Sequence, residues 1–200
     1  MKKSLYVIFL VAIFCVFIYI FANRVTFVPS MTNQGMYMVR DLPDKHLAVS
    51  ALDTIKNNLI KFNRSVLQDI TVGKLDKYYY PFCKMIDKRL PNCLFSESTP
   101  KSSATSYTVN KGTQMVVCLR SKETGEIHNM NELMYVTIHE MAHIGCPEKH
   151  HTPLFHKINK FLLVQAIDKG YYNYVDYAVD PTEYCGLELD NTIIDNKVVI

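Results

Sequence analysis

The sequence predicts an α+β fold, an N-terminal transmembrane helix followed by a small domain in which a buried helix carrying a His-Glu-X-X-His motif packs on a short sheet. Three observations predict it. Residues 5 to 22 (LYVIFLVAIFCVFIYIFA) carry no charge. Residues 131 to 146 set two His and a Glu among apolar residues that run almost all the way round a helix. Residues 113 to 120 (TQMVVCLR) are rich in strand-forming side chains.

In chain order, the apolar run comes first. At 1.5 Å per residue a helix through residues 5–22 reaches roughly 27 Å, most of the ~30 Å hydrocarbon core of a bilayer. Ile18-Tyr19-Ile20-Phe21 keep the run bulky where a cleaved signal needs small residues, so residues 1–24 are expected to be a single-pass signal-anchor that partners a membrane. Lys2 and Lys3 precede the span and Arg24 follows it, which favours a lumenal or extracellular C-terminal domain, with Arg40 narrowing the margin. In such an oxidising compartment Cys83, Cys93, Cys118, Cys146 and Cys185 invite disulfides. Cys83 with Cys93 is the most local pairing, and an odd number of thiols leaves at least one free or linked to another chain.

Residues 25–43 read as an irregular connector, and residues 44–200 as one domain. From Asp44, the spacing of Leu47, Ala51, Leu52, Ile55, Leu59, Phe62 and Val66 predicts an amphipathic helix. Asn63-Arg64-Ser65 within it is a glycosylation sequon. Pro81 to Leu90 predicts a short helix, Ser96 to Ser106 a polar surface loop, and Asp190 to Ile200 a strand or loose tail. Past the strand at 113–120, Lys122-Glu123-Thr124-Gly125 reads as a turn and Glu126-Ile127-His128 as a returning strand.

His139-Glu140-Met141-Ala142-His143 is where the chemistry concentrates. Four-residue spacing turns both imidazoles to one face of a helix, where they can share a zinc ion while Glu140 reaches a water beside it. Asn129 or Asn131 caps the predicted helix, Glu132 sits in its first turn, and proline is absent until Pro147. Leu133, Met134, Val136, Ile138, Met141, Ala142 and Ile144 describe a buried helix. Two His and a Glu there cost several kcal/mol, on the order of magnitude, unless a metal or a full hydrogen-bond network satisfies them. The plainer reading is a pair of core histidines held by neighbouring carbonyls.

A zinc site with an open position needs a third protein ligand. Glu183 and Glu188 lie outside any helical pattern. His151 precedes Thr152-Pro153, a capping residue followed by a first-turn proline, so it sits at the mouth of a second helix carrying Phe155, Ile158, Phe161, Leu162, Gln165 and Ala166 and stopping at Gly170. A turn between packed helices can fold His151 over His139 and His143; His150 is the alternative, and His156 lies inside the second helix. Cys146 is near enough to be a spare ligand, though a small buried hydrophobe is its ordinary role.

The run HEMAHIGCPEKHHTPLFHKIN (residues 139 to 159) resembles the catalytic core of the WLM (Wss1-like) metalloproteases and their SprT/Spartan relatives. In that pattern HExxH is followed by a short loop, a third His and a phenylalanine four residues beyond it. The resemblance spans residues 107 to 170 and implies a zincin-like metalloprotease domain with Zn²⁺ as cofactor. It puts His139, His143 and His151 in the ligand places, Glu140 in the general-base place and Phe155 in the place of the motif phenylalanine. It also implies a strand region before the metal helix, with an edge strand that holds an extended protein or peptide substrate by main-chain hydrogen bonds. In the chemistry so implied the metal polarises the scissile carbonyl and Glu140 moves the proton. Tyr171, Tyr172, Tyr174, Tyr177 and Tyr184 supply phenols near the end of the domain, each with a packing role as its plainer reading.

Net charge is +3 with no cluster of Lys and Arg, which argues against nucleic acid as a partner. The expected function is a membrane-anchored zinc metalloprotease. The competing class is a non-enzymatic membrane protein whose zinc site is structural or degenerate and whose domain is an interaction module. Glu140 separates the two, because a closed structural site gains nothing from a base beside its ligands.

Overall fold

In a computed structural model, which describes residues 7–16, 24–32 and 35–190, the chain beyond Arg24 alternates strands and helices. The order is β1 (Val25–Pro29), β2 (Met36–Arg40), α1 (Lys45–Thr71), α2 (Tyr80–Arg89), β3 (Leu94–Glu97), β4 (Tyr107–Val109), β5 (Gln114–Val117), α3 (Met130–Gly145), α4 (Pro153–Asp168), β6 (Thr182–Tyr184) and β7 (Leu187–Leu189). The first five strands form one mixed sheet in the order β1-β2-β3-β5-β4, with β2, β3 and β5 parallel and the two outer pairs antiparallel. Strand alternation sends Val28, Tyr37, Val39, Phe95, Met115 and Val117 into the core, while Val25, Phe27, Met36 and Leu94 stay exposed on the other face.

α1 lies on the sheet and also touches α2 and α3. Ala48, Leu52, Ile55, Leu59, Phe62, Val66 and Ile70 form its buried stripe. Leu52, Ile55, Leu59, Phe62 and Val66 are positions the spacing predicts, whereas in the first turn Ala48 and Val49 are buried and Leu47 is 65% exposed. Asn63 belongs to the buried side, where its Nδ2 donates to the Cys83 carbonyl at 3.0 Å, so the acceptor amide of the sequon has no access to solvent.

Several sequence expectations need correction. The single-pass anchor over residues 5–22, with the membrane, transmembrane and signal-anchor character and the lumenal or extracellular placement that followed from it, is not supported: among the described residues no helix is long and apolar enough to cross a membrane. Residues 7–16 of that run are described and helical, and residues 5–6 and 17–22 lie outside the described residues. The connector is not irregular, since β1 and β2 pair from Val25↔Arg40 to Pro29↔Met36 and extend the sheet. The disulfide joins Cys118 to Cys185, 67 residues apart, and not Cys83 to Cys93. Nearness in sequence misleads there, because Cys83 is buried on α2 behind α1 and Cys93 is buried just before β3. Burial pushes the Cys83 thiol up to about 12 and the Cys93 thiol up to about 11, which keeps both protonated. The tail from Asn191 lies outside the described residues.

Arg120 ties the layers together. Its Nε donates to Glu97 Oε1 at 2.8 Å, its Nη1 and Nη2 to the Asp44 carboxylate at 2.6 and 2.9 Å, and Glu97 Oε2 accepts from the Arg40 backbone N–H at 2.8 Å. Sheet, hairpin and the start of α1 thus meet on one guanidinium, whose fork geometry suits two carboxylates.

Candidate metal centre

α3 begins at Asn129, whose side chain accepts from the Glu132 backbone N–H at 3.0 Å. Asn129 is therefore the cap; Asn131 bonds the Asn173 backbone instead, at 2.9 and 2.7 Å. At its far end α3 packs against α2 at Gly145, where any Cβ would sit 2.9 Å from Ile86 Cδ1 and 3.1 Å from the Phe82 carbonyl. Arg89 Nη1 donates to the Ile144 carbonyl at 3.2 Å, and Lys111 Nζ donates to the carbonyls of Cys146, at 2.8 Å, and Glu148. Cations on these last carbonyls complement the C-terminal end of the helix and pin the start of the following loop.

That loop is closed at its other end by Thr152, whose Oγ1 accepts from the Phe155 N–H at 3.3 Å and bonds the Glu148 carboxylate. Held at both ends, it returns His151 over α3. The Nε2 atom of His151 lies 3.1 Å from that of His139 and 3.2 Å from that of His143, and the candidate ligand atoms of the three residues all fall within 4.8 Å of one another. His150 takes the left-handed conformation (φ 62°) and stays exposed on the rim, and His156 is exposed on α4 with its ring 6.1 Å from that of His151. Phe155 packs against all three clustered rings, with centroids at 4.9 Å from His139, 4.1 Å from His143 and 4.8 Å from His151.

Three imidazole nitrogens this close repel one another unless a proton or a cation lies between them. Protonation is disfavoured. Burial, then the neighbouring His143 and His151, push His139 down to about 3; burial, then His151 and Lys111, push His143 down to about 4; burial, then His156 and His150, lower His151. At neutral pH all three are neutral imidazoles, the form that binds a metal ion, and the cluster could hold one. Glu140 is 5% exposed, its Oε2 has no hydrogen-bond partner, and burial pushes its carboxyl up to about 7.

The cluster opens into a cleft of about 870 Å³, lined among others by Tyr107, Thr108, Tyr135, Glu140, Tyr184 and Leu187. The edge strand on this side is β4. β5, within the strand predicted over residues 113–120, is internal, between β3 and β4. Among the described residues β4 pairs only with β5, from Tyr107↔Val116 to Val109↔Gln114, which leaves its outer side open to another strand. Thr108 Oγ1 donates to the Glu140 carbonyl at 3.2 Å and fixes β4 against α3.

Sequence reasoning passed over β4, Tyr135 and Asn159. A signal for β4 was present, since Tyr107-Thr108-Val109 runs into Asn110-Lys111-Gly112, all with positive φ, a hairpin turn. Of the five tyrosines singled out, Tyr184 lines the cleft, with its hydroxyl 2.8 Å from Ser106 Oγ and burial raising it. Tyr172 and Tyr177 pack against Tyr135 at 5.5 and 5.0 Å. Glu183 and Glu188 stand on the β6–β7 hairpin outside the His cluster, although Glu188 reaches the cleft wall. Cys146 is a buried free thiol, also outside the cluster.

No protein-family model matches the chain. The uncharacterized protein R325 of Acanthamoeba polyphaga mimivirus is 38% identical over 174 residues, 86% of this chain and 86% of that protein. Uncharacterized protein 042R of Invertebrate iridescent virus 3 is 41% identical over 68 residues, 34% of this chain and 42% of its own length. Uncharacterized protein 136R of Invertebrate iridescent virus 6 is 40% identical over 70 residues, 34% of this chain and 39% of its own length. Among solved structures, Wss1 from Saccharomyces cerevisiae aligns with a TM-score of 0.44 at 15% identity, covering 66% of this chain and 88% of that one.

Proposed function

This chain belongs to the same family as the mimivirus protein R325, and we propose that it is a zinc-dependent metalloprotease, with His139, His143 and His151 as ligands and Glu140 as general base. One observation carries the reading: three neutral imidazoles converge within ligand distance beside a buried carboxylate oxygen that has no partner, at the floor of an open cleft. The resemblance of the His139–Asn159 run to the Wss1-like core supports the same assignment. Three nitrogen ligands with an open side suit catalytic zinc, whereas a structural site is closed by four protein ligands.

Bound there, zinc supplies Lewis acidity toward a carbonyl oxygen and acidifies water. The chain's own groups do the rest. Glu140, ionised, takes a proton from the attacking water and passes it to the leaving amine, a role suited to a carboxyl poised near 7. The free side of β4 offers main-chain hydrogen bonds to a substrate in extended form and lays it along the cleft. The Lys111 and Thr152 anchors hold the His151 loop so that the third imidazole is already in place before metal arrives.

Glu140→Gln is expected to bind zinc stoichiometrically and lose proteolysis by roughly 10²–10⁴-fold. His143→Ala is expected to lose both. Metal analysis beside a peptide-library digest checks the pair, and unchanged cleavage by Glu140→Gln excludes the assigned base.

A further inference from the structure

We infer that Asn159 is a positioning residue that fixes the tautomer of His139 by accepting a hydrogen bond from its Nδ1–H. Asn159 lies on α4 one turn after Phe155 and is fully buried. Its amide nitrogen is 3.3 Å from His139 Nδ1, while its Oδ1 is buried with no partner.

The two ends of a carboxamide differ only in which atom is placed where, so the chemistry of the ring decides between them. An imidazole that offers a lone pair to a metal is neutral, with one N–H and one lone pair to divide between Nδ1 and Nε2. With the proton on Nε2 it points into the cluster, at the His151 nitrogen 3.1 Å away, and His139 has no lone pair to offer there. With the proton on Nδ1 the lone pair of Nε2 faces the cluster, and the donor on the far side needs an acceptor. Turning the Asn159 amide by 180° brings Oδ1 to that donor. The turn makes Nδ2 the unpartnered end, so the preference comes from the ring and not from the number of satisfied atoms. A ligand His is ordinarily oriented by an acceptor on its other nitrogen, and Asn159 is the side chain placed to do so for His139.

The inference rests on the zinc reading, and the experiment separates the two. Zinc affinity of the full chain is measured by competition with a chromophoric chelator for wild type, Asn159→Leu and Asn159→Asp, and the His139 tautomer is read from long-range ¹H–¹⁵N NMR of the metal-free protein. Asn159→Leu, which keeps the volume and removes the acceptor, is expected to bind zinc roughly 10–100-fold more weakly. Asn159→Asp, which can only accept, is expected to retain or exceed wild-type affinity. The NMR is expected to show Nδ1–H in the wild type. Wild-type affinity in Asn159→Leu, loss in Asn159→Asp equal to that in Asn159→Leu, or an Nε2–H tautomer overturns the inference. A wild type that takes up no zinc defeats the zinc reading, while the tautomer still decides the role of Asn159.

Discussion

Glu140 carries a burial cost that its neighbour Thr108 relieves only in part. Its folded-state carboxyl titrates near 7 against an ordinary 4.5, so the folded chain holds this proton more tightly than the unfolded chain does. The stability so gained is complete below pH 4.5 and is lost as pH rises through 7. Glu140→Gln removes that loss. In metal-stripped protein the variant's stability relative to wild type is expected to climb across this window by on the order of 3 kcal/mol and to level off above it. Urea denaturation at a series of pH values checks this, and a difference flat with pH contradicts the buried, unpartnered carboxylate. His139 and His143 titrate in the opposite sense in both proteins and cancel from the comparison. At this scale the sequence was informative wherever spacing encodes geometry: His139 and His143 by the helical repeat, His151 by the cap at Thr152. Asn159 was not legible, because its contact with His139 exists only once α4 has packed on α3.

The elements around the site differ in how strongly they are held. The β6–β7 hairpin, which brings Tyr184, Leu187 and Glu188 to the cleft, is tied to the end of β5 by Cys118–Cys185 and to the loop before β4 by the Tyr184–Ser106 bond. Replacing both cysteines by serine is expected to cost roughly 2–4 kcal/mol and to speed amide exchange at residues 182–189 ahead of α3. Unchanged protection of the hairpin would show that the disulfide is not what holds the wall. Long elements were readable from their period, as α1, α3 and α4 were. Of the short strands, β5 was legible inside residues 113–120, and β1 to β4 were not. β1 and β2 sit in a stretch with no core-length pattern, β3 and β4 flank a turn-rich loop, and which strand stands at the edge is a property of the sheet that no segment contains.

At the scale of the molecule, one buried ion cluster joins the β1–β2 hairpin, the sheet and α1. Arg120→Met leaves Glu97, 2% exposed, without its cation. The expected loss is about 3–5 kcal/mol, a fall in Tm of roughly 6–20 °C for a chain of this size. A scanning-calorimetry shift under 2 °C, on the order of less than 1 kcal/mol, contradicts that role. The expected membrane span failed at this same scale: the hydropathy of residues 5–22 suggested one, but among the described residues no helix is long and apolar enough to cross a membrane. Disulfide pairing failed likewise, because Cys118 and Cys185 meet only across the assembled fold. The central claim is that His139, His143 and His151 hold one zinc ion, and zinc content per chain in the wild type, His150→Ala and His151→Ala proteins tests it most directly. One zinc per chain in the first two and almost none in the third is the predicted result. A metal-free wild type, or full zinc in His151→Ala, contradicts it.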